Sequence, residues 1–420
     1  MAEILNNTQT KPRILLAAAD IGEYDAELSM DELAELTDTA GGEVIARTVQ
    51  KRPAYDTATC IGRGRLEEIA EICKNENIDQ IIFDCELTAT QIRNIEEVCS
   101  VHTIDRTMLI LDIFAQRAVT HEGRLQVEIA QNKYRLPRLA GMGVNLSRQG
   151  GGIGTRGPGE SKLETDRRHI RARIESLTRE LKQIEKRRDM LRSRRKKDGV
   201  LTAAIVGYTN VGKSTLLNAL TNAGVLAENK LFATLETTSR SIELPDGRSV
   251  MLIDTVGLIR RLPHHLVEAF KSTLEEASNA DVIIHVCDAS AEDCDEQARV
   301  TLELLRELGC EGIPVVTVLN KCDKVPYIDR LEISQSDNAV KISAKNGTGI
   351  DTLLEAVQRS LKGSAVRCRL LVPFDKAGLL NTVRIDGKVF SEEYTAEGIS
   401  ADVLCDIRVY HLVEDYKVKQ

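Results

Sequence analysis

The stretch LTAAIVGYTNVGKSTLLNAL places Gly207, Gly212, Lys213 and Ser214 at the spacing G-x-x-x-x-G-K-[ST], between an apolar run and a helical pattern. That is the sequence form of a phosphate-binding loop. Backbone N–H groups of Gly207, Tyr208, Thr209, Asn210, Val211 and Gly212 would cradle a β-phosphate. Lys213 would neutralise charge between the β- and γ-phosphates, and the Ser214 hydroxyl would ligate Mg²⁺. Further along, MLIDTVG reads D-x-x-G, with Asp254 at a strand end to hold the metal through water and Gly257 to meet the γ-phosphate. VVTVLNKCD reads N-K-x-D, with Asn320, Lys321 and Asp323, and VKISAK brings Ser343, Ala344 and Lys345, whose backbone can approach a base carbonyl. D-x-x-G alone carries little information; the four motifs in this order, at strand ends, specify a guanine-nucleotide site. Guanine offers donors at N1 and its 2-amino group, which the Asp323 carboxylate can accept; adenine presents an acceptor at N1. Complementary polar groups of that kind discriminate by about 10⁴. GTP is the expected substrate and GDP the product.

Between the phosphate loop and D-x-x-G lies FATLETTSR, the position of a mobile switch. A threonine there would complete the Mg²⁺ shell while the γ-phosphate is present; spacing leaves Thr234, Thr237 and Thr238 as candidates. The residue after D-x-x-G is Leu258, where many GTPases carry a glutamine that orients the attacking water. A leucine cannot hydrogen-bond water, so unaided hydrolysis should be slow. A potassium ion held with Asn210, another switch residue or a partner must complete the site. His264 and His265 follow shortly, but ordinary loop histidines are the plainer reading.

The elements that position these residues read as a multidomain α/β protein. Residues 1–106 alternate strands (RILLAAAD, EVIARTVQ, IDQIIFDC, HTIDRT) with helices, giving a small parallel α/β domain. Within it, CIGRGRLEEI offers a glycine turn before a helix; a simple strand-to-helix turn accounts for it better than an anion site. Residues 107–198 are helical on both sides of AGMGVNLSRQGGGIGTRGPGE, which has seven glycines after Met142. Helix resumes at SKLETDRR, where Ser161 and Glu164 have capping-box form. Ile170, Ile174, Leu177, Leu181 and Ile184 then make an apolar seam on a charged rod. Two helices joined by a loop most simply pack antiparallel, with the glycines at the far tip. A P-loop GTPase domain over 199–362 and a short α+β domain over 363–420 complete the order.

The 420-residue chain has a net charge of −8, which argues against a nucleic-acid binder only on average. From Ser161 to Lys197 fifteen Lys or Arg face six Asp or Glu, about +9, leaving about −17 elsewhere. No basic-then-apolar leader opens the chain and the longest apolar runs are too short to span a bilayer, so a cytoplasmic protein is expected. Ten cysteines without C-x-x-C spacing argue against a zinc site and a disulfide framework, and read as reduced, mostly buried thiols.

Taken together, GYTNVGKST, FATLETTSR and DTVGLI are similar to the nucleotide motifs of the HflX family of translation-factor-related GTPases. GGGIGTRGPGES followed by KLETDRR resembles that family's signature loop and helix, the most specific part of the match. CIGRGRLEEI, IIFDCEL and IDRTMLILDIFAQRA with LQVEIAQNKYRLPRL resemble its N-terminal region. The resemblance covers nearly the whole chain and is weakest after Val366. Departures are Val211 for the usual alanine, Glu236–Thr237 for Asp-Pro, which frees a switch backbone that proline would restrain, and Leu258 for phenylalanine. The resemblance implies nucleotide contacts at Phe232, Ala233, Thr234, Leu235 and Glu236, at Asp254, Thr255, Val256 and Gly257, at Asn320, Lys321, Cys322 and Asp323, and at Ser343 to Lys345. It also implies Mg²⁺ at Ser214 and Thr234, and hydrolysis resting on Lys213, Thr234 and Gly257.

Family members bind the large ribosomal subunit or the 70S particle and are linked to splitting stalled ribosomes under stress. On that footing the glycines let backbone lie against folded rRNA, and Arg148 and Arg156 pair with phosphates or stack on bases. With no Trp and 3% aromatic residues, phosphate contacts should dominate. DNA is not an expected partner, and a monomer is expected. Two other functions compete: a nucleotide-gated tether with little turnover, consistent with Leu258, and a membrane-surface GTPase, for which the seam lacks Trp or Phe anchors.

Overall fold

The computed structural model describes residues 11–142, 158–197, 200–221, 231–232, 238–261, 263, 275–326, 339–361, 366–405 and 407–418. The chain divides into two compact units. One holds Met1–Asp189 with Glu228–Glu236 and Ile259–Ser272; the other holds Met190–Ala227, Thr237–Leu258 and Thr273–Gln420. Two short stretches around the nucleotide motifs thus belong with the N-terminal part of the chain. Of the sequence expectations, the glycine-rich tip, Ala233 to Thr237, His264 and His265 lie outside the described residues.

The first unit is built on β1 (Arg13–Asp20), α1 (Ala26–Thr39), β2 (Glu43–Lys51), α2 (Arg63–Asn75), β3 (Gln80–Phe83), α3 (Ala89–Cys99) and β4 (His102–Asp105). The strands form a parallel sheet in the order β2-β1-β3-β4. Leu15, Ala17 and Ala19 of β1 bury one side against Ile61, Leu66, Ile69, Ile81, Phe83 and Ile95. Each such leucine, isoleucine or phenylalanine contributes about 1.5–3 kcal/mol on leaving water. The starts of α1 and α3 follow side-chain caps: Asp25 accepts from the N–H of Glu27 and Leu28, and Thr88 and Gln91 form a reciprocal capping box. HTIDRT does not continue as a strand, because Asp105 caps α4 (Arg106–Arg117) by accepting from Met108 N–H. At CIGRGRLEEI, the Gly62 N–H donates to Gln50 Oε1 at 2.7 Å, and a Cβ at Gly62 would stand 2.6 Å from the Arg52 guanidinium. Side chains cover that helix start, in line with the plain turn.

α5 (His121–Met142) and α6 (Pro158–Lys197) lie antiparallel. Glu122 pairs with Arg188 and Glu128 with Arg173, so partners run in opposite directions along the two helices. Leu125 and Ile129 pack on Leu177, Leu181 and Ile184, the middle and end of the anticipated seam. α6 begins at Pro158, three residues ahead of the anticipated Ser161 cap. Proline suits the first helical turn, whose N–H groups lack partners in any case. Tyr134 and Arg138 of α5 reach back to Asp105; Arg138 also donates to Leu87 O at 2.9 Å and stacks on the Tyr134 ring.

The second unit has a six-stranded sheet in the order β10-β9-β8-β5-β7-β6, where β5 is Leu201–Gly207, β6 Thr238–Glu243, β7 Ser249–Asp254, β8 Val282–Asp288, β9 Val315–Asn320 and β10 Val340–Lys341. All pairs are parallel except β6 with β7. α7 (Lys213–Thr221) follows β5 directly, α8 (Cys294–Glu307) crosses from β8 to β9 and α9 (Ile350–Ser360) follows β10. Beyond it, β11 (Val366–Val372), α10 (Gly378–Asp386), β12 (Gly387–Thr395), β13 (Gly398–Cys405) and α11 (Ile407–Val413) make an antiparallel sheet, order β11-β13-β12, with helices and its own core. Among the described residues no helix is long and apolar enough to cross a membrane.

His285, on the central strand β8, is 1% exposed, and burial pushes its imidazole down to about 4. A depressed histidine adds stability above its unfolded value of about 6.5 that is lost as pH falls toward the folded value. Between pH 7 and pH 5 the parent should therefore lose about 2 kcal/mol more than His285→Leu, read from chemical denaturation. Parallel pH slopes for parent and variant would contradict this.

Candidate nucleotide-binding site

The anticipated motifs emerge at the carboxyl edge of one sheet. β5 ends at Gly207, β7 at Asp254, β8 at Asp288 and β9 at Asn320, the edge where parallel α/β sheets take ligands. Phosphate loop, D-x-x-G, N-K-x-D and the Ser343–Lys345 turn are all in the second unit.

On the phosphate side the loop is closed by its own lysine. Lys213, 6% exposed, donates from Nζ to Gly207 O at 3.0 Å and Tyr208 O at 2.7 Å. Burial draws its pKa down to about 8, against the upward pull of the Asp254 carboxylate. D-x-x-G is sewn to this loop. Thr209 N–H donates to Leu258 O at 2.7 Å, Leu258 N–H to Gly207 O at 3.1 Å, and the Thr255 hydroxyl to Ile205 O at 2.7 Å. Gly257 is required by space: a Cβ there would lie 2.7 Å from Thr209 Cγ2 and 3.1 Å from Lys213 Nζ. Leu258 itself, 3% exposed, is part of the hydrophobic core. The residue where other GTPases carry a water-orienting glutamine is here a packing residue.

Ser214 Oγ donates to Asp254 Oδ2 at 3.2 Å, and Asp254 is fully buried. A hydroxyl beside a buried carboxylate is a hard-oxygen set that suits Mg²⁺. Of the threonines considered for the second position, Thr238 is the first residue of β6, paired with Asp254 in the antiparallel ladder.

On the base side, Asn320 is 3% exposed and works in two directions. Its Nδ2 donates to Val211 O at 2.8 Å, and its Oδ1 accepts from Ala344 N–H at 2.9 Å. Lys321 makes a second tie, donating from Nζ to Asn210 O at 2.8 Å and to Asp288 Oδ2 at 2.6 Å. Asn210 and Lys321 both sit in the left-handed backbone region, each at φ 62°, a conformation costing about 1–3 kcal/mol that persists where surroundings impose it. Gly212, at φ 94°, abuts the Asn320 amide, so a Cβ would collide with it. Asp323 accepts from the Ser343 hydroxyl at 2.6 Å, which lowers its pKa and keeps it ionised to receive two donors. Cys322 N–H donates to Ile342 O at 3.1 Å, bracing the turn, while the Lys345 side chain is exposed. Asp288 was not anticipated; its one sequence sign is an acidic residue ending the apolar strand VIIHVCD.

In the first unit, two short stretches from the nucleotide region of the sequence are held by the N-terminal α/β domain. Leu231 N–H donates to Thr39 Oγ1 at 3.2 Å, and Phe232 packs edge-on to Phe114 at 4.7 Å between ring centroids. Phe232, 2% exposed, thus commits its side chain to packing. Arg260 O accepts from Arg106 at 3.1 Å. Arg261 donates to Asp84 Oδ2 at 2.9 Å, with its guanidinium 3.7 Å above the Tyr24 ring. Asp84, fully buried after β3, also receives Arg106 at 2.9 Å, Ser29 at 2.7 Å and Tyr24 at 3.2 Å. Neither Asp84 nor Arg261 stood out in the sequence, since long-range pairing leaves no spacing signature.

Two outcomes are expected. Asn320→Ala removes two buried hydrogen bonds and should weaken GDP binding tenfold to hundredfold, roughly 1.4–3 kcal/mol, by calorimetry; a change under twofold would contradict the bridging role. Phosphate oxygens will raise the Lys213 pKa, so binding takes up a proton above pH 8 and GDP affinity should fall about tenfold per pH unit there. Equal affinity at pH 7.5 and 9.5 would refute it.

Residues 27–115 match the family model described as GTP-binding GTPase N-terminal, residues 117–195 the GTP-binding GTPase middle region and residues 202–321 the 50S ribosome-binding GTPase. GTPase HflX of Caldanaerobacter subterraneus subsp. tengcongensis is 51% identical over 402 residues, covering 95% of this chain and 92% of that protein. GTPase HflX of Escherichia coli K12 is 44% identical over 348 residues, covering 82% of each. A solved GTP-binding protein of Sulfolobus solfataricus in complex with GDP is 25% identical, with a TM-score of 0.44 over 83% of this chain and 98% of that one. With phosphate loop, D-x-x-G and N-K-x-D joined in one hydrogen-bonded pocket and relatives of this similarity along nearly its whole length, the chain belongs to the HflX family of GTPases and hydrolyses GTP.

Proposed function

We propose that this GTPase binds the large ribosomal subunit or the 70S particle and couples GTP binding and hydrolysis to that association, splitting or rescuing stalled ribosomes under stress. The observation that carries the reading is the antiparallel hairpin of α5 and α6, whose second helix contains a segment of about +9 on an otherwise acidic chain. A cationic rod of that kind suits the phosphate backbone of rRNA, with Arg148 and Arg156 beside the glycine tip as the leading contacts. The match of residues 202–321 to a model named for 50S ribosome binding supports the same partner. A monomer in the cytoplasm fits this role.

In the reaction, the Gly207–Ser214 backbone and Lys213 hold the β- and γ-phosphates. Mg²⁺ held by Ser214 and Thr234 would supply charge neutralisation at the scissile phosphoryl group. Gly257 N–H would mark the γ-phosphate, and Phe232 to Glu236 would follow its presence. The Asp323 carboxylate, ionised by the Ser343 hydrogen bond, selects guanine, with Cys322 and the Ser343–Lys345 turn closing over the base. Because Leu258 is packed in the core, the water must be positioned by another group: potassium held with Asn210, a switch residue or the ribosome. The same burial favours a second reading, a nucleotide-gated ribosome tether with little turnover.

Single-turnover hydrolysis with and without ribosomes separates the two. Stimulation of about tenfold or more is expected, a gain near 1.4 kcal/mol or greater in barrier height; no stimulation favours the tether. Deleting residues 150–159 should leave GTP binding intact while weakening cosedimentation with large subunits, and the parent's binding should fall steeply with added salt. A deletion variant that sediments as well as the parent would remove the hairpin tip from the account.

A further inference from the structure

Cys60 and Cys85 meet in the first unit with their sulfur atoms 3.1 Å apart, closer than two thiols in ordinary van der Waals contact. Both are buried, at 1% and 7% exposure. The pair is held there by backbone. Cys60 adopts a left-handed conformation, φ 65°, and exchanges both backbone hydrogen bonds with Asp56 at 2.9 Å. Cys85 follows Asp84, whose own N–H is tied to Ala17 O at 2.9 Å in the sheet. The two sulfurs are unequal. The hydrogen bond between them lowers the Cys60 pKa against the opposing effect of burial, with a smaller pull from the Arg52 guanidinium, while the same bond and burial raise Cys85. Cys60, whose backbone partner Asp56 pairs with Arg52, is the thiol assigned to attack, and Cys85 the one that resolves.

The neighbour of this pair gives it a consequence. Asp84 is the shared partner of Ser29, Tyr24, Arg106 and Arg261. Ser29 and Arg106 are buried, whereas Tyr24 is half-buried and the Arg261 side chain is 32% exposed, so Arg261 is the charged partner most readily released if the carboxylate shifts. A disulfide requires about 2.05 Å between sulfurs, a contraction of roughly 1 Å beside this carboxylate.

We propose that Cys60 and Cys85 form a reversible oxidation site, in which a peroxide closes a disulfide that loosens the hold of Asp84 on Arg261. The Cys60 thiolate attacks one peroxide oxygen; the S–O bond forms, the O–O bond breaks, and the departing hydroxide takes a proton to become water. The Cys85 sulfur then attacks the Cys60 sulfenic acid; the S–S bond forms, and the hydroxyl leaves as a second water with the Cys85 proton. Two thiols are oxidised and one hydrogen peroxide is reduced to two waters. A dithiol reductant reverses the step.

Hydrogen peroxide treatment of the full chain, followed by peptide mass mapping without reduction, should give a peptide pair linked through Cys60 and Cys85. Its absence while other thiols of the chain oxidise would overturn the site. Trypsin cuts after Arg260 and Arg261, so it reads the clamp directly. Cleavage there should be about threefold or more faster in the oxidised protein, return to the starting rate with dithiothreitol, and not respond to peroxide in Cys60→Ser. Cys85→Ser serves the same purpose if the first variant folds poorly. A linked pair with unchanged cleavage would overturn the coupling to Arg261, and peroxide-accelerated cleavage persisting in both variants would overturn the assignment to these cysteines. None of these readouts depends on ribosome binding.

Discussion

One buried amide, that of Asn320, joins the two halves of the nucleotide pocket. It holds the phosphate loop through Val211 O and the base-side turn through Ala344 N–H, so neither can move without breaking a bond shielded from water. Such bonds are costly to leave unmade, about 1–3 kcal/mol each, and the penalty enforces the geometry more than their net strength does. Gly212 can hold its left-handed turn against this amide only because it has no side chain, and Lys321 repeats the tie one residue on. Phosphoryl transfer leaves the protein little covalent work; what counts is donors and charges fixed in advance where charge will develop. A pocket cross-linked by Asn320, Lys321 and the Thr209–Leu258 backbone bonds meets that demand.

The first unit uses a different device. Asp84 is a fully buried carboxylate at the end of a parallel strand, balanced by Arg106 and by three further donors. Removing one partner of such a buried pair costs about 3–5 kcal/mol, since the other charge is left without compensation. One of those donors is Arg261, four residues beyond Gly257 in the chain, and Phe232 packs beside the same α/β domain on Phe114. Residues on either side of D-x-x-G in sequence therefore make contacts within the N-terminal unit.

Local chemistry was legible in the sequence. The phosphate loop, D-x-x-G and N-K-x-D each depend on residues a few positions apart, so spacing carried them to the right strand ends. Alternating apolar runs gave the two α/β sheets, and three- and four-residue steps gave the α6 seam. Ser161 and Glu164 have capping form, yet α6 opens at Pro158, because proline suits the first helical turn without any side-chain signal further on. His-Thr-Ile-Asp-Arg-Thr read as strand throughout, yet Asp105 caps a helix from within it. Asp288, Asp84 and Arg261 leave no sequence signature for one reason: their partners lie far off in sequence, at Lys321, Arg106 and Asp84 respectively, and single-sequence patterns do not report such pairs. The interleaving of Glu228–Glu236 and Ile259–Ser272 with the N-terminal unit is a tertiary fact of the same kind.

The most direct test of this cross-linked pocket is hydrogen–deuterium exchange of the GDP-bound chain. Peptides containing Thr209, Leu258 and Ala344 should exchange about a hundredfold or more slower than unprotected backbone, because their N–H groups are already bonded to Leu258 O, Gly207 O and Asn320 Oδ1. Exchange of these peptides at the unprotected rate would contradict the account.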